Sequence, residues 1–104
     1  MPNNWVIEIR DDEAGGVSFL PLQPGASIAD PLLAEPNDLV VWSNRTDRGV
    51  QLESLEPAGL PMDQQIGAGE SSSSQFLVPG GDQRIKYRCV APSKDHAIEI
   101  TQGG

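Results

Sequence analysis

Proline and glycine interrupt this chain so often that no amphipathic helix of useful length fits between them. Pro fixes φ and lacks an amide hydrogen, and Gly carries the largest entropic cost in a regular element, so both act as punctuation. Nine Pro and eleven Gly are spread along 104 residues rather than gathered in one linker. The segments left between them have strand length, and several alternate. Trp5-Val6-Ile7-Glu8-Ile9 puts Trp5, Ile7 and Ile9 on one face, and Ile85, Tyr87 and Cys89 share an inward face in residues 84–90. Residues 17–20, 39–43, 50–55, 71–78 and 97–101 complete the set, with polar turns at 11–16, 35–38, 44–49 and 79–82 between them. Residues 56–69 read as a long connection. The stretch from Ser27 to Ala34 stays open between a short strand over 27–30 and a helical turn over 30–34. The pattern predicts an all-β fold, an antiparallel Greek-key β-sandwich of seven to eight strands, as a single domain over residues 1–104.

Scarcity constrains function as sharply as punctuation constrains fold. The chain has one His and one Cys, so no site needing two imidazoles or two thiolates can come from a single copy, and no internal disulfide can form. Seven Lys and Arg face fifteen Asp and Glu, a formal net charge of −8. Phosphate recognition needs clustered cations, so this balance argues against nucleic acid and favours a protein partner with a basic surface, steered by charge. The run Leu39-Val40-Val41-Trp42 is far below the ~20 apolar residues that span a bilayer, so no membrane insertion is expected. The start, Met1-Pro2-Asn3-Asn4-Trp5, has no secretory character. It places the protein in the cytoplasm if residue 1 is the native start, and in the periplasm or outside the cell if an export signal was removed.

Two blocks carry a family resemblance. Pro36-Asn37-Asp38-Leu39-Val40-Val41-Trp42-Ser43-Asn44-Arg45-Thr46-Asp47 pairs a turn with an apolar strand ending in an aromatic and Asn. From Gly69 to Thr101 come a Gly, a Ser-rich strand ending in Phe76, a Pro-Gly turn, Tyr87-Arg88-Cys89, a loop, then Ile98 and Ile100. Together they resemble the cupredoxins, small β-sandwiches that usually hold one copper for electron transfer. The resemblance implies two His, one Cys and a weak axial Met as ligands. The first His position falls on Val50, the second on or near Pro92, and the axial Met near His96, so only Cys89 carries over as a ligand. The resemblance therefore implies a cupredoxin-like fold without a blue-copper centre.

Each remaining candidate has a plain reading beside it. Cys89 is either a functional group, as a metal thiolate or a reactive thiol, or a small buried residue on an inward strand face. His96, beside Lys94 and Asp95, is either a metal ligand with Cys89 or a partly exposed turn residue; Met62 would join them only if the long connection folded over Cys89. Asp11, Asp12 and Glu13 crowd one turn and make no catalytic pair. Ser71-Ser72-Ser73-Ser74 lacks a nucleophile elbow, and Gly67-Ala68-Gly69 precedes no helix that would cradle phosphate. Asn44-Arg45-Thr46 fits the N-glycosylation pattern but reads more simply as a turn. Trp42 belongs to the core, and Trp5 is open between core and binding surface. These readings converge on a binding or accessory module without catalytic residues or cofactor, and not an enzyme. The alternative is a copper-binding electron-transfer protein with an atypical site at Cys89 and His96.

Overall fold

The structure, a computed structural model, describes residues 3–13, 15–56, 64–72, 76–78, 84–90 and 93–101. Met62, Pro92 and the turn at 79–82 lie outside the described residues. Among the described residues, nine strands form two facing sheets. The first sheet has the order β2 (Val17–Pro21), β1 (Asn4–Asp11), β4 (Leu39–Asn44), β7 (Phe76–Leu77). The second runs β3 (Leu32–Ala34), β9 (Lys94–Ile100), β8 (Arg84–Cys89), β5 (Val50–Glu56), β6 (Gln65–Ile66). This is the all-β sandwich that the alternating segments predict. Most neighbours are antiparallel, but β1 runs parallel to β4 and β3 parallel to β9. Alternation fixes the face each residue takes and carries no information on the direction of the neighbouring strand.

Alternation does place the core. Ile7, Phe19 and Trp42 of the first sheet face Leu52, Tyr87 and Ile98 of the second, all at 0–1% exposure. Each such side chain contributes roughly 1.5–3 kcal/mol by leaving water. Trp5 is half-buried and packs on the edge of this core. The outer face of β1 is covered differently: Glu8, also buried, receives Arg10 Nε at 2.8 Å and lies 3.3 Å from Arg45 Nε.

Two turns lock the sandwich locally. Pro36 and Asn37 sit at the centre of a turn closed by Asp38 N–H donating to Glu35 O at 3.1 Å, and Asn37 has φ +74°. Pro at the first central position and a left-handed Asn at the second are the signature of a type II turn. The side chain of Asn44 is fully buried and donates Nδ2–H to the carbonyls of Arg48 at 2.8 Å, Ile66 at 3.1 Å and Gly67 at 3.1 Å. Its Oδ1 accepts from Thr46 N at 3.0 Å and Thr46 Oγ1 at 2.7 Å. This amide ties the β4–β5 turn to β6, and it closes the glycosylation reading because the nitrogen that would carry a glycan is buried and engaged.

The segment over 27–34 follows neither open expectation. Residues 27–30 form a turn in which Asp30 Oδ2 accepts from Ser27 N at 2.8 Å, and Leu32–Ala34 is strand. Pro31 disfavours helix before it, and Leu32 and Ala34 turn inward beside β9 while Leu33 stays exposed. The outward edge of β3 is clasped by Gln23, whose Nε2 donates to Leu33 O at 2.6 Å and whose Oε1 accepts from Leu33 N at 3.0 Å. No helix among the described residues is long and apolar enough to cross a membrane.

Candidate functional site

Strand β8 brings Tyr87 inward, and the antiparallel register makes His96 on β9 its direct cross-strand partner. From the opposite sheet, β4 supplies Trp42 and β2 supplies Phe19. The four rings form one cluster. Tyr87 stands edge-on to Trp42 at 5.3 Å and to Phe19 at 5.3 Å, while Phe19 stacks on the His96 imidazole at 5.0 Å and 21°. Such contacts add roughly 0.5–1.5 kcal/mol each beyond burial.

A directed chain of hydrogen bonds runs through the cluster. Trp42 Nε1–H donates to Tyr87 OH at 2.9 Å. Tyr87 OH lies 2.6 Å from His96 Nδ1, and His96 Nε2 lies 2.7 Å from the carbonyl oxygen of Asp30. A carbonyl only accepts, so Nε2 carries the imidazole hydrogen. In the neutral ring Nδ1 is then an acceptor, and the phenol O–H donates to it. Every polar hydrogen in the chain has a partner, as burial demands.

Electrostatics agree with that assignment. Burial pushes His96 below its ordinary 6.5, opposed in part by the hydrogen bond to Asp30, so the imidazole is held neutral. Burial likewise pushes the Tyr87 phenol well above its ordinary 10.0, with the Trp42 hydrogen bond opposing. The phenol is closed to solvent, whereas His96 keeps 7% exposure and floors a hollow of about 320 Å³ walled by Arg84, Lys86, Asp95 and Pro31. Beside it, Ala29 has φ +74°, in the left-handed region, one residue before the carbonyl that receives His96.

Cys89 is fully buried on β8, two residues beyond Tyr87 on the same inward face, and pairs in register with Lys94. Cys89 and His96 are thus diagonal neighbours across the β8–β9 ladder. His96 is not a turn residue: β9 begins at Lys94 and the imidazole is buried. The signal was present, because counting back by two from Ile100 and Ile98 reaches His96. Lys94 and Asp95 masked it by giving that stretch the look of a solvated loop. Trp42 lies in the core as expected, and its link to Tyr87 was not legible. Among the described residues no group of three or more His, Cys, Asp or Glu is arranged to hold a metal ion.

No family model matches the chain, and no curated protein is similar to it. Solved structures are. A multicopper oxidase from Campylobacter jejuni, described as a metallo-oxidase, superposes with TM-score 0.54 at 17% identity over 97% of this chain. A multicopper oxidase from Pseudomonas thermotolerans gives TM-score 0.53 at 14% identity over 98%. Lac15 from a marine microbial metagenome gives TM-score 0.52 at 13% identity over 100%. Multicopper oxidases are assembled from cupredoxin-like domains. The fold of this chain is cupredoxin-like.

The chain spans 26% of the Campylobacter protein, 33% of Lac15 and 29% of the Pseudomonas protein. The likeness corrects the expectation that the chain is not an enzyme, since the cupredoxin-like proteins it superposes on are oxidases. That expectation weighed nucleophiles, carboxylate pairs and triads, which are the equipment of acid–base chemistry. Oxidase chemistry is carried by a metal or another redox cofactor, so a lack of such side-chain sets does not speak against it.

The copper of the cupredoxins does not fit these residues. A blue-copper site takes two imidazole nitrogens and a thiolate. Val50, at the first His position, is an apolar side chain at 1% exposure paired with Ile66. The one imidazole has both nitrogens turned to Tyr87 and Asp30.

Proposed function

We propose that this chain is a cupredoxin-like domain of a copper-oxidase-type system that supplies scaffold and a partner-binding surface, with copper held by donors outside this chain. What supports this reading is the filling of the ligand region. Val50 and Cys89 are packed into the core, and His96 spends both nitrogens inside the protein. The charge pattern favours a basic partner. Six of the seven cations, Arg10, Arg45, Arg48, Arg84, Lys86 and Arg88, lie within 4.0 Å of a carboxylate, so little positive charge is left to oppose the excess of acids. Acidic surfaces of this kind speed encounter with basic ones and do so less at high salt.

Native mass spectrometry with added Cu(II) and Cu(I), alongside the visible spectrum, tests the reading. The expected result is a chain that retains no copper and shows no intense thiolate-to-copper band. A monomer that keeps one copper and shows such a band, lost in Cys89→Ser, overturns it.

A further inference from the structure

We propose that Tyr87 is a redox relay in which a strong one-electron oxidant, such as an oxygen-derived radical, removes an electron from the phenol while its proton passes to His96 Nδ1. The O–H bond of Tyr87 breaks, an N–H bond forms on His96, the oxidant is reduced by one electron, and a neutral phenoxyl faces an imidazolium. A one-electron reductant of the ascorbate class reverses it, with the proton returning from Nδ1 to the phenol oxygen.

Four observations carry this. The phenol donates along a 2.6 Å hydrogen bond to an imidazole nitrogen that is bare, because Nε2–H is committed to Asp30. Tyr87 is fully buried, so His96 is the base within its reach and loss of the proton to water is closed off. Oxidation leaves no charge on the buried phenol ring, and the positive charge appears on the one of the three hydrogen-bonded rings that reaches the surface. There it faces Asp95 as well as Arg84 and Lys86, at the hollow beside Pro31. Finally, Trp42 Nε1–H keeps a donor on the oxygen whether or not it holds its own hydrogen, and Trp42 and Phe19 enclose the ring. A merely structural network needs satisfied partners. This one also has a single proton direction and an acceptor at the rim. Its effect would be to collect oxidising equivalents at Tyr87 before they reach Cys89, two residues along the same strand face.

The chain holds one Tyr and one His, so any tyrosyl signal is Tyr87 and any imidazole effect is His96. The test is flash photolysis of the whole chain with photogenerated tris(bipyridine)ruthenium(III), followed by transient absorption and electron paramagnetic resonance. The expected result is a neutral tyrosyl radical that forms more slowly in D2O. In His96→Gln its formation should fall by about a hundredfold, the low end of what a positioned proton acceptor contributes. Trp42→Phe, which keeps the Tyr87–His96 bond, should still form it. If only tryptophanyl radicals appear, or if the tyrosyl forms at the same rate in D2O, the relay is overturned. The D2O comparison uses the unmodified chain and decides the matter even where a variant does not fold. No copper enters this experiment, so its outcome is independent of the reading of the chain as an oxidase-type domain.

Discussion

The indole nitrogen of Trp5 donates to Oδ2 of Asp38 at 2.9 Å, joining the start of β1 to the turn that launches β4. The same carboxylate accepts from the backbone of Asn3 at 2.9 Å and of Glu35 at 3.0 Å. Burial alone would raise the pKa of this carboxyl, but these hydrogen bonds outweigh it and hold the group below its ordinary 3.8. Donors from three residues converge on one charge.

Asp38→Asn replaces an acceptor with an NH2 group facing those donors, and should cost about 1–3 kcal/mol at neutral pH. Because the folded pKa is depressed, this stabilisation is complete above the ordinary carboxylate value and disappears as pH falls through the folded one. Urea titrations of both proteins at neutral pH and near pH ~3 check it. An equal difference at the two pH values would contradict the assignment.

His96 makes stability depend on pH with the opposite chemistry and the same sign. Its folded pKa lies below 6.5, so the unfolded chain binds the extra proton more readily. Stability should be full above the unfolded value and fall as pH drops from there through the folded one. The structural cause is visible: a proton on Nδ1 would leave the Tyr87 hydroxyl hydrogen without its acceptor. Urea midpoints followed across that window should climb with pH, and a flat profile would argue against the neutral imidazole.

Asn44 offers a sharper mutational contrast. Asn44→Ala removes the Nδ2 donor from the carbonyls of Arg48, Ile66 and Gly67 and the acceptor of Thr46 N–H; Arg48 O keeps Thr46 Oγ1 and Gly67 O keeps Glu70 N–H, and the loss should cost about 1–3 kcal/mol. Asn44→Asp is nearly the same shape but brings a carboxylate against those carbonyls, so it should be at least as damaging. Denaturant unfolding of the two variants distinguishes lost donors from lost volume. A mild Asn44→Asp would show that shape alone matters.

Ala29 is held at φ +74° without the permissive backbone of glycine. A left-handed alanine costs roughly 1–2 kcal/mol, and glycine gives back roughly 0.5–1 kcal/mol in entropy. Ala29→Gly should therefore stabilise the protein by up to about 1 kcal/mol, read as a raised melting temperature. A lowered one would mean that the methyl group, at the wall of the His96 hollow, packs more than it strains.

These positions also mark how far the sequence could be read. Ile7, Ile9, Ile85, Tyr87 and Cys89 announce their faces by period-two alternation, and Pro36-Asn37 announces its turn by dihedral preference. Asn44 and His96 do not, because polar residues flanked by charges carry the same local pattern in a turn as in a core. What buries them is non-local: Asn44 meets Ile66 and Gly67 of a later strand and its following loop, and His96 meets Asp30 from far earlier in the chain. The link between Trp42 and Tyr87 crosses from one sheet to the other, a relation on which alternation within a strand is silent.

The side-chain amide of Gln23 does for Leu33 what another strand would do, filling one donor and one acceptor on an outermost edge. That makes it a stopper against polymerisation. In Gln23→Ala the bare margin, with Leu33 and Leu22 exposed beside it, becomes a template for stacking copies edge to edge. Light scattering that grows with concentration in that variant alone would show that one glutamine keeps the molecules apart.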